Sequence, residues 1–122
     1  MNNIRLNQCF NLLEFECPCC KTVMLSSKLL HEITRLRYCL NEPVKINSGY
    51  RCPSENTKIN GDVNSFHMKG LAVDITVESI YLEELLTIVK GFQFTGIGFY
   101  LKKNFLHLDM RPGKRKIWKD TT

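Results

Sequence analysis

The spacing of apolar residues along the chain changes several times, and each change marks an element. Leu29, Ile33, Leu36 and Leu40 recur at helical spacing and predict a helix from Ser26 or Ser27, either of which can cap it, to about Leu40. Asn41-Glu42-Pro43 ends it, because the residue before a proline is disfavoured in helical backbone. Ile80, Leu82, Leu85, Leu86 and Val89 predict a second helix, capped by Ser79, running through Lys90 and stopped by Gly91. Pro53 to Lys58 reads as a short helix opened by its proline, with a turn at Asn60-Gly61-Asp62. Alternation takes over in Val44 to Ser48, in Leu71 to Thr76, and in a hairpin. That hairpin runs from Phe94 to Tyr100, turns near Lys102-Lys103-Asn104 and returns from Phe105 to Arg111. Phe10, Leu12, Leu13 and Phe15 form an apolar segment that docks on the core, and Trp118 closes over that core beyond the Pro112-Gly113 turn.

Two of these strands carry polar residues where a core strand should not. In Leu71 to Thr76, alternation places Leu71, Val73 and Ile75 on one face and Ala72, Asp74 and Thr76 on the other. A carboxylate in mid-strand is costly to bury unless it is paired or holds a cation. In the returning strand, Leu106, Leu108 and Met110 share one face, and Phe105, His107, Asp109 and Arg111 share the opposite one. His67 precedes Asp74 by seven residues. Two imidazoles and one carboxylate, with a fourth position left for water, make a catalytic zinc arrangement, so His67, Asp74 and His107 are the expected metal ligands. His31, on the first helix among Lys28, Glu32 and Arg35, is expected at the surface.

Length and composition narrow the class. The chain has 122 residues, 43% of them hydrophobic, which suits one soluble domain over residues 1–122 and a monomer. No apolar run approaches the ~20 residues of a membrane span. The start, Met1-Asn2-Asn3-Ile4-Arg5, does not read as a secretory signal, so synthesis in the cytoplasm is expected. The net charge is +5, with a basic cluster at Lys114, Arg115, Lys116 and Lys119 that reads as a solvated tail or as a surface for an anionic partner. Cysteines number six: Cys9, Cys17, Cys19, Cys20, Cys39 and Cys52. Cys17 and Cys20 have the spacing of half a zinc knuckle, with Cys39 and Cys52 available to complete a set in space; a second metal, a disulfide and free thiols all stay open. Half a knuckle does not make a nucleic-acid finger, and nucleic acid is not expected as a partner.

Four blocks in order, Ser48-Gly49-Tyr50-Arg51, Ser65-Phe66-His67, Asp74 and His107, resemble the D-alanyl-D-alanine carboxypeptidase family of zinc peptidases over about residues 10 to 118. That family includes vancomycin-resistance dipeptidases and phage endolysins, and shares its fold with the hedgehog signalling domain. The resemblance implies a small α+β domain in which an antiparallel sheet carries the ligands and helices pack on its other side. It implies Zn2+ held by His67, Asp74 and His107, and hydrolysis of peptidoglycan stem or cross-bridge peptides by a zinc-activated water. It also implies that Arg51 holds a substrate carboxylate or polarises its carbonyl, and that Ser65 lines the cleft near the substrate. Action at the wall would follow release, as for a phage or prophage enzyme. One departure stands out. The family's general-base glutamate lies three residues before the last histidine, where this chain has Asn104, or six before it in the hedgehog arrangement, where it has Leu101. Asp109 is the nearest acid, and either accepts the proton as the base or orients His107 or Arg51. A non-catalytic zinc-containing module that binds cell wall or protein is the alternative.

Overall fold

A computed structural model describes residues 2–121. Its secondary structure follows the order β1 (Lys45–Ser48), β2 (Ala72–Thr76), β3 (Gly96–Tyr100), β4 (Phe105–Asp109) and β5 (Lys116–Asp120) for strands, with helices α1 (Ser27–Leu40), α2 (Pro53–Lys58) and α3 (Leu82–Val89). The fold is α+β: one five-stranded sheet, ordered β1-β2-β4-β3-β5, with helices against one face. Val73 and Ile75 of β2, Leu106 and Leu108 of β4, and Ile97 and Phe99 of β3 share one buried cluster with Leu29, Ile33 and Leu36 of α1 and Leu85 and Val89 of α3. Phe10 and Phe15 join that cluster, while Leu13 is exposed. Alternation then forces Asp74, His107 and Asp109 onto the opposite face.

The long helix α1 forms as expected, capped by Ser26, whose Oγ accepts from Leu29 N, and closed by Asn41 in the left-handed region. His31 is exposed. Helix α3 is shorter than expected. Ser79 is used up in a turn in which Ile80 N donates to Val77 O, so the helix starts at Leu82 with Tyr81 at its cap and no side-chain cap bond. Gly91 donates to Ile88 O rather than adopting a left-handed stop.

The sheet is mixed, not antiparallel throughout. Strands β1, β2, β4 and β3 pair antiparallel, but β5 runs parallel to β3. Asp109 at the end of β4 and Lys116 at the start of β5 both pair with Gly96, so the link between them only has to pass around the beginning of β3. The basic cluster is thereby built into the fold rather than forming a tail. Arg115 donates from Nε to Phe94 O (2.9 Å), from Nη1 to Lys90 O (2.8 Å) and from Nη2 to Phe92 O, closing the segment after α3. Trp118 sits on the face opposite the core, a position opened by Gly98 between it and His107. Among the described residues no helix is long and apolar enough to cross a membrane.

Candidate metal centre and cleft

Local turns bring His67 to Asp74. Ser65 Oγ accepts from His67 N at 3.2 Å and caps a 3-10 turn, Phe66–Lys69; Gly70, at φ +70°, then reverses the chain into β2. His67 and Asp74 are 2% and 6% exposed. Antiparallel pairing of β2 with β4 sets Asp74 beside His107, so the third group arrives by register. The two imidazole centroids lie 5.1 Å apart at 66°.

The hydrogen-bond pattern reveals what the three groups require. His67 Nδ1 lies 2.7 Å from Gly49 O, which can only accept, so Nδ1 carries a proton and Nε2 is the nitrogen turned toward Asp74 Oδ1 at 3.2 Å. His107 Nε2 lies 2.8 Å from Asp109 Oδ2, and its Nδ1 lies 3.0 Å from the same Asp74 Oδ1. Two imidazole nitrogens and a carboxylate oxygen thus converge on one spot, an arrangement that calls for a positive charge there, a proton or a metal ion. The three donor atoms lie within 4.8 Å of one another. Borderline nitrogen and oxygen donors in this number suit zinc with a free coordination position, so the residues present fit the ion. In the metal-free chain a proton meets part of the same need. Burial lowers the His107 pKa, but hydrogen bonds to Asp109 and Asp74 outweigh it and raise it overall. Burial raises the Asp74 carboxyl, yet His107 and His67 hold it well below the usual carboxylate range.

Arg51 reaches the same place from the loop after β1, where an irregular register between Ile46 and Ser48 re-aims the chain. Its Nη2 donates to Asp74 Oδ2 (3.2 Å), Nε to Ser48 Oγ (3.1 Å) and Nη1 to Asn56 Oδ1 (3.1 Å). Asn56, 3% exposed on α2, was not singled out in the sequence; its only signal there was a polar residue on a short helix beside the Arg51 block.

Asp109 is fully buried behind His107. Its Oδ1 accepts from Arg111 N (3.0 Å) and Nε (2.9 Å), and its Oδ2 from His107 Nε2 and Arg111 Nη2 (2.7 Å). Burial raises its pKa, but His107 and Arg111 more than offset this and keep it ionised. The space for it is made by Gly96, where a Cβ would stand 2.2 Å from the Asp109 carboxylate oxygens. Gly98 does the same for Trp118, whose ring lies 5.4 Å from that of His107. The sequence carried that signal: two glycines in one strand mark close approach by a neighbour.

Above these groups opens a cleft of about 880 Å³. Arg51, Ser65, His67, Asp74 and His107 all line it, as expected from the sequence. Phe66, Tyr100, Phe105 and Trp118 form its aromatic walls, and Lys103, Arg111 and Lys116 add positive charge. The Arg111 guanidinium lies between the Phe66 and Trp118 rings, 4.7 and 4.9 Å from their centroids. Asn104, at the hairpin turn with φ 58°, and Leu101 are exposed and do not line it. Among the described residues lining the cleft the carboxylates are Asp74 and Asp62.

A family profile for Peptidase M15 matches residues 9–109, which contain every group just described except Arg111 and the residues of β5. The chain belongs to the peptidase M15 family. Among curated proteins it is similar to the peptidoglycan L,D-endopeptidase MepK of Escherichia coli K12, 30% identical over 93 residues, or 70% of this chain and 51% of that protein. It is also similar to the probable peptidoglycan L,D-endopeptidase MepK of Haemophilus influenzae, 29% identical over 84 residues, 65% of this chain and 44% of that one. The chain therefore spans about half the length of the curated relatives it matches. The cysteines divide: Cys17, Cys19, Cys20 and Cys52 gather near the Arg51 loop, whereas Cys39 is exposed on α1 and outside that group.

Proposed function

We propose that this chain is a zinc metallopeptidase that hydrolyses an amide in peptidoglycan peptides, with His67, Asp74 and His107 as ligands. The convergence of two imidazole nitrogens and one carboxylate oxygen on a single point of an aromatic, basic cleft carries this reading. Zinc held there supplies Lewis acidity, lowering the pKa of a water toward ~7 and polarising a carbonyl. Stem peptides carry carboxylates, and Arg51, Lys103, Arg111 and Lys116 give the cleft matching charge. Of Arg51's five N–H groups three are engaged within the protein, which leaves donors for a substrate carboxylate or carbonyl. Between carboxypeptidase and endopeptidase action, the likeness to two L,D-endopeptidases favours cleavage within a stem or cross-bridge.

We assign Asp109 to positioning His107, not to proton transfer. Both its oxygens are occupied by donors of His107 and Arg111, and it has no exposed surface. The acid remaining on the cleft wall is Asp62, exposed on the loop after α2, with Oδ1 accepting from Asn64 N at 2.7 Å. It is the candidate proton acceptor. His67→Ala should remove the metal from this site and abolish release of peptides from purified peptidoglycan. Cleavage surviving in that variant would reject the assignment.

A second reading keeps cleft and metal but not turnover; the lack of an acid at Asn104 or Leu101 favours it. Zinc-loaded wild-type protein that binds wall fragments and releases no product would select that reading.

A further inference from the structure

We propose that Cys17, Cys19, Cys20 and Cys52 form a second, structural metal centre that takes a thiophilic divalent cation of the zinc class. The four sulfurs all lie within 4.8 Å of one another, and Cys19 Sγ is 3.4 Å from Cys52 Sγ. In a tetrahedral zinc–thiolate site with Zn–S bonds of ~2.3 Å, neighbouring sulfurs stand about 3.8 Å apart. The backbone is already folded as a knuckle. Cys17 O accepts from Lys21 N (2.9 Å), Cys17 N donates to Thr22 O (2.8 Å), and Lys21 takes the left-handed conformation (φ 63°) that turns the chain between them. Backbone N–H groups face the sulfurs, as they do around metal thiolates: Cys52 N donates to Cys17 Sγ and Glu55 N to Cys52 Sγ, both at 3.4 Å. Packing does not explain the cluster, since Cys19 and Cys20 are exposed and Cys52 is only half-buried. The electrostatics agree. Four crowded sulfurs cannot all ionise until a cation shares their charge.

The position gives this centre a task. It joins the N-terminal segment to the loop that carries the cleft's working groups. Gly49 O holds His67 Nδ1, Tyr50 N donates to Phe15 O (2.9 Å), and Arg51 N donates to His67 O (3.2 Å). A cation bridging residues 17–20 to residue 52 fixes that loop from outside while the histidine site uses it from inside. The proposal does not depend on the peptidase reading.

The test counts metal in the full chain, reduced, loaded with zinc and freed of excess. Elemental mass spectrometry should find two zinc ions per chain in wild type, one in Cys52→Ser and two in Cys39→Ser. Wild type loaded with cobalt should show sulfur-to-cobalt charge-transfer absorption, which needs no variant to fold. His67→Ala should lose one metal and keep that absorption, so failure of the histidine site is read separately. A single metal in wild type without a sulfur–cobalt band, or unchanged metal content in Cys52→Ser, overturns the proposal. A Cys19–Cys52 disulfide in a one-metal protein overturns it as well.

Discussion

Asp109→Asn separates the two roles an acid beside His107 can play. The substitution keeps the shape of the side chain and replaces one acceptor oxygen with a donor NH2. Neither orientation of the amide fits. In the Oδ2 position the NH2 meets His107 Nε2 and Arg111 Nη2; in the Oδ1 position it meets Arg111 N and Nε, so two donors face it either way. His107 can relieve the first clash by moving its proton to Nδ1, the nitrogen that faces Asp74 Oδ1. That tautomer has no lone pair for a metal. Partners that orient a metal-bound histidine are worth about 10–100-fold in metal affinity, or about 1.4–2.7 kcal/mol. Zinc should therefore bind the histidine site of Asp109→Asn more weakly by that factor. At a pH above the raised His107 pKa, long-range nitrogen–proton NMR of the imidazoles should show the single His107 proton on Nδ1 in the metal-free variant and on Nε2 in metal-free wild type. Hydrolysis should recover toward the wild-type rate as zinc is raised. Unchanged zinc affinity, an unchanged tautomer and a rate that zinc cannot restore would mean that Asp109 acts on the reacting water, and the positioning argument would fail.

Other outcomes follow from the same geometry. Asp62→Asn should lower kcat by about 10²–10⁴-fold without changing zinc content, the usual worth of a general base; a wild-type kcat excludes Asp62 from proton transfer. Gly98→Ala would set a methyl 2.7–2.8 Å from the Trp118 indole, so the ring must shift off His107. Denaturant unfolding should show a loss of about 1–3 kcal/mol, and a neutral result would mean that Trp118 is not packed against Gly98. Protons and zinc compete for the same ligands. Asp74 and Asp109 have depressed pKa values, so their stabilisation is present above about pH 4 and lost on acidification; His107 is raised, so its contribution is complete below about pH 6.5 and lost as pH rises. Thermal scans of the metal-free protein should peak between about pH 4 and 6.5, while the stabilisation added by zinc grows with pH because ligands must be deprotonated. A metal-free maximum above neutrality would contradict this assignment.

Much was legible in the sequence because it depends on neighbours along the chain. Alternation in Leu71 to Thr76 and Phe105 to Arg111 already put Asp74 and His107 on the face away from the leucines, and a strand has only two faces. The Ser26 cap, the Pro53 helix start and the hairpin turn at Asn104 are local backbone chemistry. Other features depend on residues that meet only once the sheet is assembled. Nothing in Lys116 to Asp120 announces a strand parallel to β3, so Trp118 reads as a core residue until Gly98 is seen between it and His107. Asp109 sits on the correct face by periodicity, but whether it faces water or lies sealed beneath Arg111 is decided by Gly96 across the sheet. Cys52 lies far along the chain from Cys17, and their sulfurs meet where the two segments are joined in the fold, with Tyr50 N donating to Phe15 O and Cys52 N to Cys17 Sγ. Side-chain periodicity sets which way a group points; the registers between strands, chosen by the packing of the whole core, set what it meets.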